Sequence, residues 1–206
     1  MVQAKNVEEY IAMQRAAIAS NPECGTSHYN LAVALIGQKK YDEAEQELQD
    51  AIGCSPSLAE AYVQLGGICL QRGDLDGCLH YNTQSINSRA GFSEGYGNIG
   101  FIHLQKGDLD KAIAALKKAI IYNSNFLQAY TTLANAYLMK GLVIESIEAS
   151  LKALEIEPNF AIAHNNLAIS YMQNDQFDKA IEHIDIAINL GYTVAPEILK
   201  ELEQYR

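Results

Sequence analysis

The chain has 206 residues, of which 49% are hydrophobic, and its 25 Asp and Glu residues against 15 Lys and Arg give a formal net charge of −10 at pH 7. This apolar fraction excludes intrinsic disorder, and the acidic balance argues against nucleic-acid binding, because a phosphate backbone attracts basic surfaces. The apolar runs are too short to span a bilayer, and residues 1–20 lack the apolar core of a signal peptide. We therefore expect a cytoplasmic protein that does not insert into a membrane.

The first predicted element is a helix over residues 5–20, which fits the second helix of a half repeat and makes residues 1–24 an N-terminal cap. After it the sequence matches itself at a shift of 34 residues, which is the signature of a repeat architecture. The five consecutive units are 25–58, 59–92, 93–126, 127–160 and 161–194. One column of the repeat is aliphatic: Leu31, Leu65, Ile99, Leu133 and Leu167. Three further columns hold only Gly, Ala, Ser or Cys, and begin at Ala32, Ala44 and Ala51.

Each unit is predicted to be a pair of antiparallel helices. Tyr62, Leu65 and Cys69 are spaced three and four residues apart, which places them on one helical face. The following Gly73 and Asp74 are typical of a turn in which glycine ends one helix and aspartate caps the next. Such a pair cannot bury its apolar face alone, so stacking of neighbouring units has to supply the stability.

The last predicted element is a short amphipathic helix that caps the array over residues 195–206. Gly191 ends the final repeat helix, and Pro196 is suited to the first position of the next one. Its apolar side carries Leu202 and Tyr205, among others. We therefore interpret residues 1–206 as a single domain, one continuous array of repeats.

A column of aromatic or His residues completes the pattern: His28, Tyr62, Tyr96, Tyr130 and His164. With the unit-ending prolines Pro22, Pro56 and Pro158, this pattern resembles the tetratricopeptide repeat (TPR) family. The resemblance implies an all-α, right-handed superhelical solenoid. It also implies a concave groove, lined by the first helix of each pair, that binds an extended segment of another protein.

No arrangement of residues indicates catalysis, a cofactor or a metal site. The five His residues form no His-Glu-x-x-His motif, and His28 and His164 occupy the packing column. The four Cys residues form no Cys-x-x-Cys pair and are expected to stay reduced. The glycines mark helix ends or fill small columns and form no phosphate-binding loop. We therefore expect that the protein is not an enzyme.

Acidic residues recur at the start of the second helices, where we interpret them as helix caps; Asp74 and Asp108 are examples. In the fourth unit Leu142, Val143 and Ile144 replace this polar opening, and Ile144 stands in the column that holds Asp42, Asp76, Asp110 and Asp178 in the other units. An exposed apolar spot is therefore expected there, and two interpretations stay open: close packing of the turn, or a self-association contact.

A carboxamide column is predicted to face the groove: Asn30, Gln64, Asn98, Thr132 and Asn166. A carboxamide offers a donor and an acceptor, which match the N–H and C=O groups of a peptide main chain. The column resembles the asparagine ladder in the TPR superhelix of O-GlcNAc transferase. The alternative is that these side chains are merely solvated, although Asn is a poor helix former and its repetition needs a reason.

The other predicted groove residues are Tyr29, Glu60, Glu94, Phe101, Asn135 and Asn165. None of the inward columns is basic, so the Lys- and Arg-based carboxylate clamp of chaperone-binding family members is absent. Glu60 and Glu94 favour a neutral or mildly basic segment, and Tyr29 and Phe101 are candidate aromatic anchors.

The sequence thus predicts a non-catalytic adaptor or scaffold that binds an extended peptide segment of a partner protein. Two alternatives stay open. One is a self-assembling homo-oligomer, in which the terminal helix or the Leu142–Ile144 turn docks onto a neighbouring copy. The other is a substrate-docking subunit of a separate transferase.

Overall fold

A computed structural model describes residues 6–206. This part of the chain is all-helical, with twelve α-helices and no strand. The helices are α1 (Val7–Ser20), α2 (Gly25–Gly37), α3 (Tyr41–Cys54), α4 (Ala59–Gln71), α5 (Leu75–Ser88), α6 (Ser93–Gln105), α7 (Leu109–Tyr122), α8 (Leu127–Met139), α9 (Val143–Ile156), α10 (Ala161–Gln173), α11 (Phe177–Asn189) and α12 (Pro196–Glu203). The predicted helix pairs are thereby confirmed, and α1 begins with Asn6 as its N-cap, whose side chain accepts a hydrogen bond from the Glu9 N–H.

The helices form two compact units. Unit 1 ends at Asn98, and unit 2 runs from Ile99 to Arg206. In unit 1 the core lies between consecutive helices and is built around Leu31, Leu48 and Leu65, each at most 1% exposed. In unit 2 a corresponding cluster is built around Leu167 and Ile184. Each unit therefore buries its apolar faces by stacking helix pairs.

The small columns allow the close helix packing that the sequence predicts. Ala44, Ala51, Ala112 and Ala119 have no exposed surface, and a side chain on Gly95 would overlap Ser85. Between the helices of a pair the chain turns through a residue with positive φ. This residue is Gly73, Gly107 and Gly141 in three units, but Lys39 (φ 61°) and Asp175 (φ 55°) in the first and fifth.

The predicted acidic caps are only partly present. The Asp74 side chain accepts a hydrogen bond from the Gly77 N–H at 2.8 Å and caps α5. Asp108 makes no such bond with α7 and instead pairs with Lys111 at 3.2 Å. Lys111 and nearby His103 hold the pKa of the Asp108 carboxyl below its usual value. Asp108 therefore acts through charge rather than as a cap.

The C-terminal helix closes the core of unit 2. Leu202 on α12 is fully buried, and the Tyr205 ring stacks on Phe177 with ring centres 3.6 Å apart. Pro196 is the first residue of α12, as predicted. Among residues 6–206, no helix is both long enough and apolar enough to cross a membrane.

Candidate functional site

The predicted site residues of unit 1 begin on α2. Tyr29 and Asn30 line a cavity of about 740 Å³ between α1 and α2, together with Val7, Tyr10 and Val33. These three apolar side chains are 49%, 36% and 41% exposed, respectively. A large apolar surface is therefore accessible beside the first carboxamide of the predicted column.

Tyr29 also contacts the next predicted groove residues. Burial raises the pKa of the Tyr29 hydroxyl, and the negative charge of nearby Glu60 raises it further. A hydrogen bond with Gln64 acts in the opposite direction and lowers this pKa. Tyr29, Gln64 and Glu60 are thus brought together by α2 and α4.

Glu60 is not freely available to a ligand, in contrast to the sequence-based expectation. Its Oε1 accepts a hydrogen bond from the Arg89 guanidinium at 2.7 Å, so part of its charge is neutralised. Its Oε2 is buried without a hydrogen-bond partner in the described part of the chain. Glu94 accepts a hydrogen bond from the neighbouring Ser93 hydroxyl at 2.9 Å and is exposed.

Asn98 is held in place by a second carboxamide. Its Nδ2 donates to the Oδ1 of Asn82 at 2.8 Å, and the Asn82 Nδ2 donates to the main-chain oxygen of Cys78 at the same distance. Asn82 is fully buried on α5. A side chain on Gly66 would overlap the Asn82 amide. The buried amide therefore fixes the rotamer of Asn98 and depends on a glycine opposite it.

The sequence analysis did not identify Asn82 as a functional residue. The signal is its place in the 34-residue repeat, since the same column otherwise holds Leu48, Leu116, Ser150 and Ile184. A carboxamide in a column of mainly aliphatic residues is unusual, because a buried polar group costs stability unless it is hydrogen-bonded.

The carboxamide column continues differently in unit 2. Asn166 is only 8% exposed, and its Nδ2 donates to the main-chain oxygen of Thr131 at 3.1 Å, which joins α10 to α8. The Thr132 hydroxyl donates to the Gln128 main-chain oxygen of its own helix at 2.7 Å. These two groups thus have a structural partner already.

The remaining predicted residues of unit 2 differ in exposure. Asn165 is buried at 7% exposure, whereas Asn135 and Phe101 are exposed, the latter at 37%. The groups on this unit that are open to a partner are therefore Asn135 and Phe101 rather than the two neighbouring asparagines of α10.

One cluster has the composition of a metal site. Potential ligand atoms of His28, Glu47 and Asp50 lie within 4.8 Å of one another. However, His28 Nδ1 lies 2.7 Å from Glu47 Oε2, and its Nε2 lies 3.0 Å from the Pro22 oxygen. Burial lowers the pKa of His28, but the hydrogen bonds to Glu47 and Pro22 outweigh it and raise the pKa. A cation would therefore have to displace one of the hydrogen bonds that the two ring nitrogens make.

The cysteines offer little nucleophilic chemistry. Burial raises the pKa of the Cys78 thiol to about 11 and also raises that of Cys69, so both are protonated at neutral pH. Cys24 differs, because a hydrogen bond from the Ser27 hydroxyl lowers its pKa. All four thiols are free.

Family models match four stretches of the chain. Models described as a tetratricopeptide repeat match residues 12–59, 127–160 and 149–182, and one described as a TPR repeat matches residues 100–141. A TPR repeat-containing thioredoxin of Arabidopsis thaliana, TTL4, is 32% identical over 76 residues, or 37% of this chain. The match spans only 11% of that relative's length.

Solved structures share the fold at low sequence identity. YrrB, described as a TPR protein with an unusual peptide-binding site, gives a TM-score of 0.68 at 20% identity, over 86% of this chain and 91% of its own. The Cut9–Hcn1 hetero-tetramer of the APC/C gives 0.81 at 19% identity, over 96% of this chain and 39% of the other. Yeast Tom70 gives 0.73 at 18% identity, over 98% and 44%. These likenesses concern the fold alone.

Proposed function

Because the chain belongs to the tetratricopeptide repeat family, we propose that it is a non-catalytic scaffold whose first helices bind an extended segment of a partner protein. The structurally similar YrrB is described as having a peptide-binding site, and we propose the same class of ligand for this chain. Since fold alone does not determine function, the proposal depends on the side chains of the first helices.

The observation that supports the proposal most directly is the Asn98–Asn82 pair. Asn82 occupies a fully buried position at which the repeat otherwise favours aliphatic residues, and its amide orients Asn98. Replacing such a buried polar group with a well-packed apolar one is often neutral or stabilising. A role in presenting Asn98 to a ligand gives a reason for retaining the carboxamide.

The unused hydrogen-bond donors and acceptors of Asn30 and Asn98 suit a peptide main chain. Asn98 uses one N–H on Asn82, which leaves its second N–H and its Oδ1. The Asn30 side chain makes no hydrogen bond within the described residues, so both of its N–H groups and its Oδ1 are available. The proposed asparagine ladder of unit 1 is therefore shorter than the full sequence column. In unit 2, the exposed Asn135 lies in a neighbouring groove column, and we propose it as a separate contact for a ligand.

The proposed segment is neutral or mildly basic. Glu94 is exposed on α6, whereas the charge of Glu60 is partly neutralised by Arg89. An acidic segment would be repelled by the Glu94 carboxylate, whereas an N–H or ammonium group of a ligand can donate to it.

The experiment compares partner capture from native lysate by the wild type, Asn98→Ala and Asn87→Ala, followed by mass spectrometry. Asn87 is exposed on α5 and provides the same chemical change on a second helix. We expect one protein to be captured by the wild type and by Asn87→Ala but not by Asn98→Ala. Equal capture by all three would contradict the proposal.

Self-association is a second candidate function that one observation favours. Met139 and Ile144 flank the turn between α8 and α9 and are 57% and 54% exposed. We propose this turn as a contact between copies if the chain is not a monomer. Sedimentation equilibrium tests it: a mass of 22.7 kDa at every concentration contradicts it, and an oligomer that Ile144→Asp dissociates supports it.

A further inference from the structure

The His28 ring is held so that its Nδ1 atom faces a carboxylate. Its Nε2 atom lies 3.0 Å from the main-chain oxygen of Pro22, and a carbonyl oxygen can only accept, so Nε2 carries a hydrogen. In the neutral ring Nδ1 is then an acceptor as well, and it lies 2.7 Å from the Oε2 atom of Glu47. Two acceptors at this distance need a positive charge between them, which is either a proton or a metal ion.

Asp50 adds a second carboxylate to this pair. It follows Glu47 by three residues on α3, so both side chains lie on the same face of the helix. Potential ligand atoms of His28, Glu47 and Asp50 lie within 4.8 Å of one another. Asp50 is exposed, and its Oδ1 accepts only a long hydrogen bond of 3.4 Å from Gln46. The cluster can therefore be reached from the solvent.

The surroundings of His28 match those of a histidine that binds a metal ion. Such a histidine almost always donates its other ring N–H to a carbonyl or carboxylate oxygen, which fixes the orientation of the ring. The Pro22 oxygen has this role here, and His28 is only 7% exposed. An ion at Nδ1 leaves the bond to Pro22 in place and displaces only the hydrogen bond to Glu47.

No Lys or Arg of the two helices compensates the carboxylates, since α2 and α3 contain neither residue. Lys39 and Lys40 lie in the turn at the other end of this helix pair, and Lys40 precedes Glu47 by seven residues, which is about 10 Å along a helix. Arg15 and Arg72 contact α3 but pair with other carboxylates of that helix. A divalent cation at the cluster therefore meets two negative charges.

Unit 2 offers an internal comparison at a shift of 136 residues. His164 keeps the bond from its Nε2 to a proline oxygen, at 3.0 Å. The positions of the two carboxylates are taken by His183 and Ile186, and the two imidazoles bond to each other. The repeat thus keeps the orientation of the histidine in both units but places two carboxylates beside it only in unit 1.

We propose that Nδ1 of His28 and the carboxylates of Glu47 and Asp50 bind a zinc ion, with water completing the coordination. An imidazole nitrogen and carboxylate oxygens are ligands of Zn²⁺. Tetrahedral coordination at the usual bond lengths separates two ligand atoms by about 3.4 Å, so the Glu47 oxygen has to move by about 0.7 Å. The ion joins α2 to α3. This site is independent of the proposed peptide contacts, which use none of the three residues.

Calorimetric titration of the chelator-treated full chain with Zn²⁺ tests the proposal. We expect one ion per chain for wild type and at least tenfold weaker binding for Asp50→Asn, because a ligand and a negative charge are lost. Asp42→Asn is the matched control. It makes the same change at another exposed position of α3 and should bind Zn²⁺ like wild type. Absence of binding to wild type, or equal binding to Asp50→Asn, overturns the proposal.

A second measurement identifies the ligand atoms. Co²⁺ in place of Zn²⁺ should give d–d absorption bands without a thiolate charge-transfer band, since the proposed ligands are nitrogen and oxygen. A thiolate band would place the ion on a free cysteine such as Cys24 or Cys54 and overturn the assignment. Asn98→Ala separates this proposal from the peptide-binding one. It should bind Zn²⁺ like wild type, whereas Asp50→Asn should leave Asn98-dependent partner capture unchanged.

Discussion

The imidazoles of His164 and His183 face each other, with their Nδ1 atoms 2.9 Å apart. At the equivalent position in unit 1, 136 residues earlier, His28 Nδ1 faces Glu47 Oε2 at 2.7 Å. In both units the Nε2 atom of the first histidine lies 3.0 Å from the oxygen of a proline six residues before it. The same packing column therefore holds two different hydrogen-bonded pairs.

The two pairs differ in charge. Each Nε2 has to donate to its proline oxygen, so His164 in a neutral pair accepts from the His183 Nδ1–H. Burial and the neighbouring His164 lower the pKa of His183 and so favour its neutral ring. In His28 the bonds to Glu47 and Pro22 outweigh burial and raise the pKa. Acid therefore disfavours the neutral His183 of unit 2, whereas it favours the charged ring of His28 beside Glu47 in unit 1.

His183→Glu should reverse the pH dependence of unit 2. In the wild type, stability from a lowered His pKa is present above the ordinary value near 6.5 and is lost as the pH falls below it. A glutamate instead recreates the His28–Glu47 pair, in which the pKa of the histidine is raised, so its stabilisation is present at low pH and is lost as the pH rises. We expect the variant to exceed wild type by about 1–2 kcal/mol at pH 5.5 and to lose this gain by pH 8.

Thermal melts at several pH values measure this difference. Glu47→His is the converse control, because it creates a second neutral pair and should make the stability of the chain fall more steeply on acidification. Parallel pH profiles for wild type and His183→Glu would contradict the assignment of the neutral pair.

Asn82→Leu should separate stability from binding. Leucine is the residue at the equivalent positions 48 and 116, and Gly66 leaves space for it as Gly100 does for Leu116. We expect the free energy of unfolding to stay the same or to rise by about 1–2 kcal/mol, because an apolar side chain replaces a buried amide. Asn98 loses its orienting acceptor, so the affinity for the partner captured by wild type should fall about tenfold. Chemical denaturation and a titration with that partner measure the two effects, and unchanged affinity would contradict the role of Asn82.

The sequence alone predicts the helices and most of the packing, because these depend on periodic residue size. Ala44 and Ala112 lie in one column that only small residues fill, and the structure buries both completely. The hydrogen bonds of the site depend instead on contacts between distant residues. The bond from Asn166 to the Thr131 oxygen joins residues 35 apart, and no local pattern distinguishes Asn166 from Asn30, which lacks such a partner.

Asn166→Ala should lower stability, whereas Asn135→Ala should not. The former removes a buried hydrogen bond between α10 and α8 and leaves the Thr131 oxygen without that donor, which costs about 1–2 kcal/mol. Asn135 is exposed, and its replacement should change stability by less than about 0.5 kcal/mol. Urea denaturation of both variants measures this, and equal midpoints would show that the bond of Asn166 does not contribute to folding.

Lys39→Gly should stabilise the chain. Lys39 has a φ of 61°, and residues with a Cβ adopt this left-handed conformation only at a cost in free energy. The 34-residue register places Gly73, Gly107 and Gly141 at the same turn. The expected gain is about 0.5–1 kcal/mol. Asp175→Gly should gain less, since aspartate tolerates the left-handed region better than lysine. Gly107→Lys is the converse control and should lose a similar amount. Melting temperatures that rank Asp175→Gly above Lys39→Gly would contradict this account of the two turns.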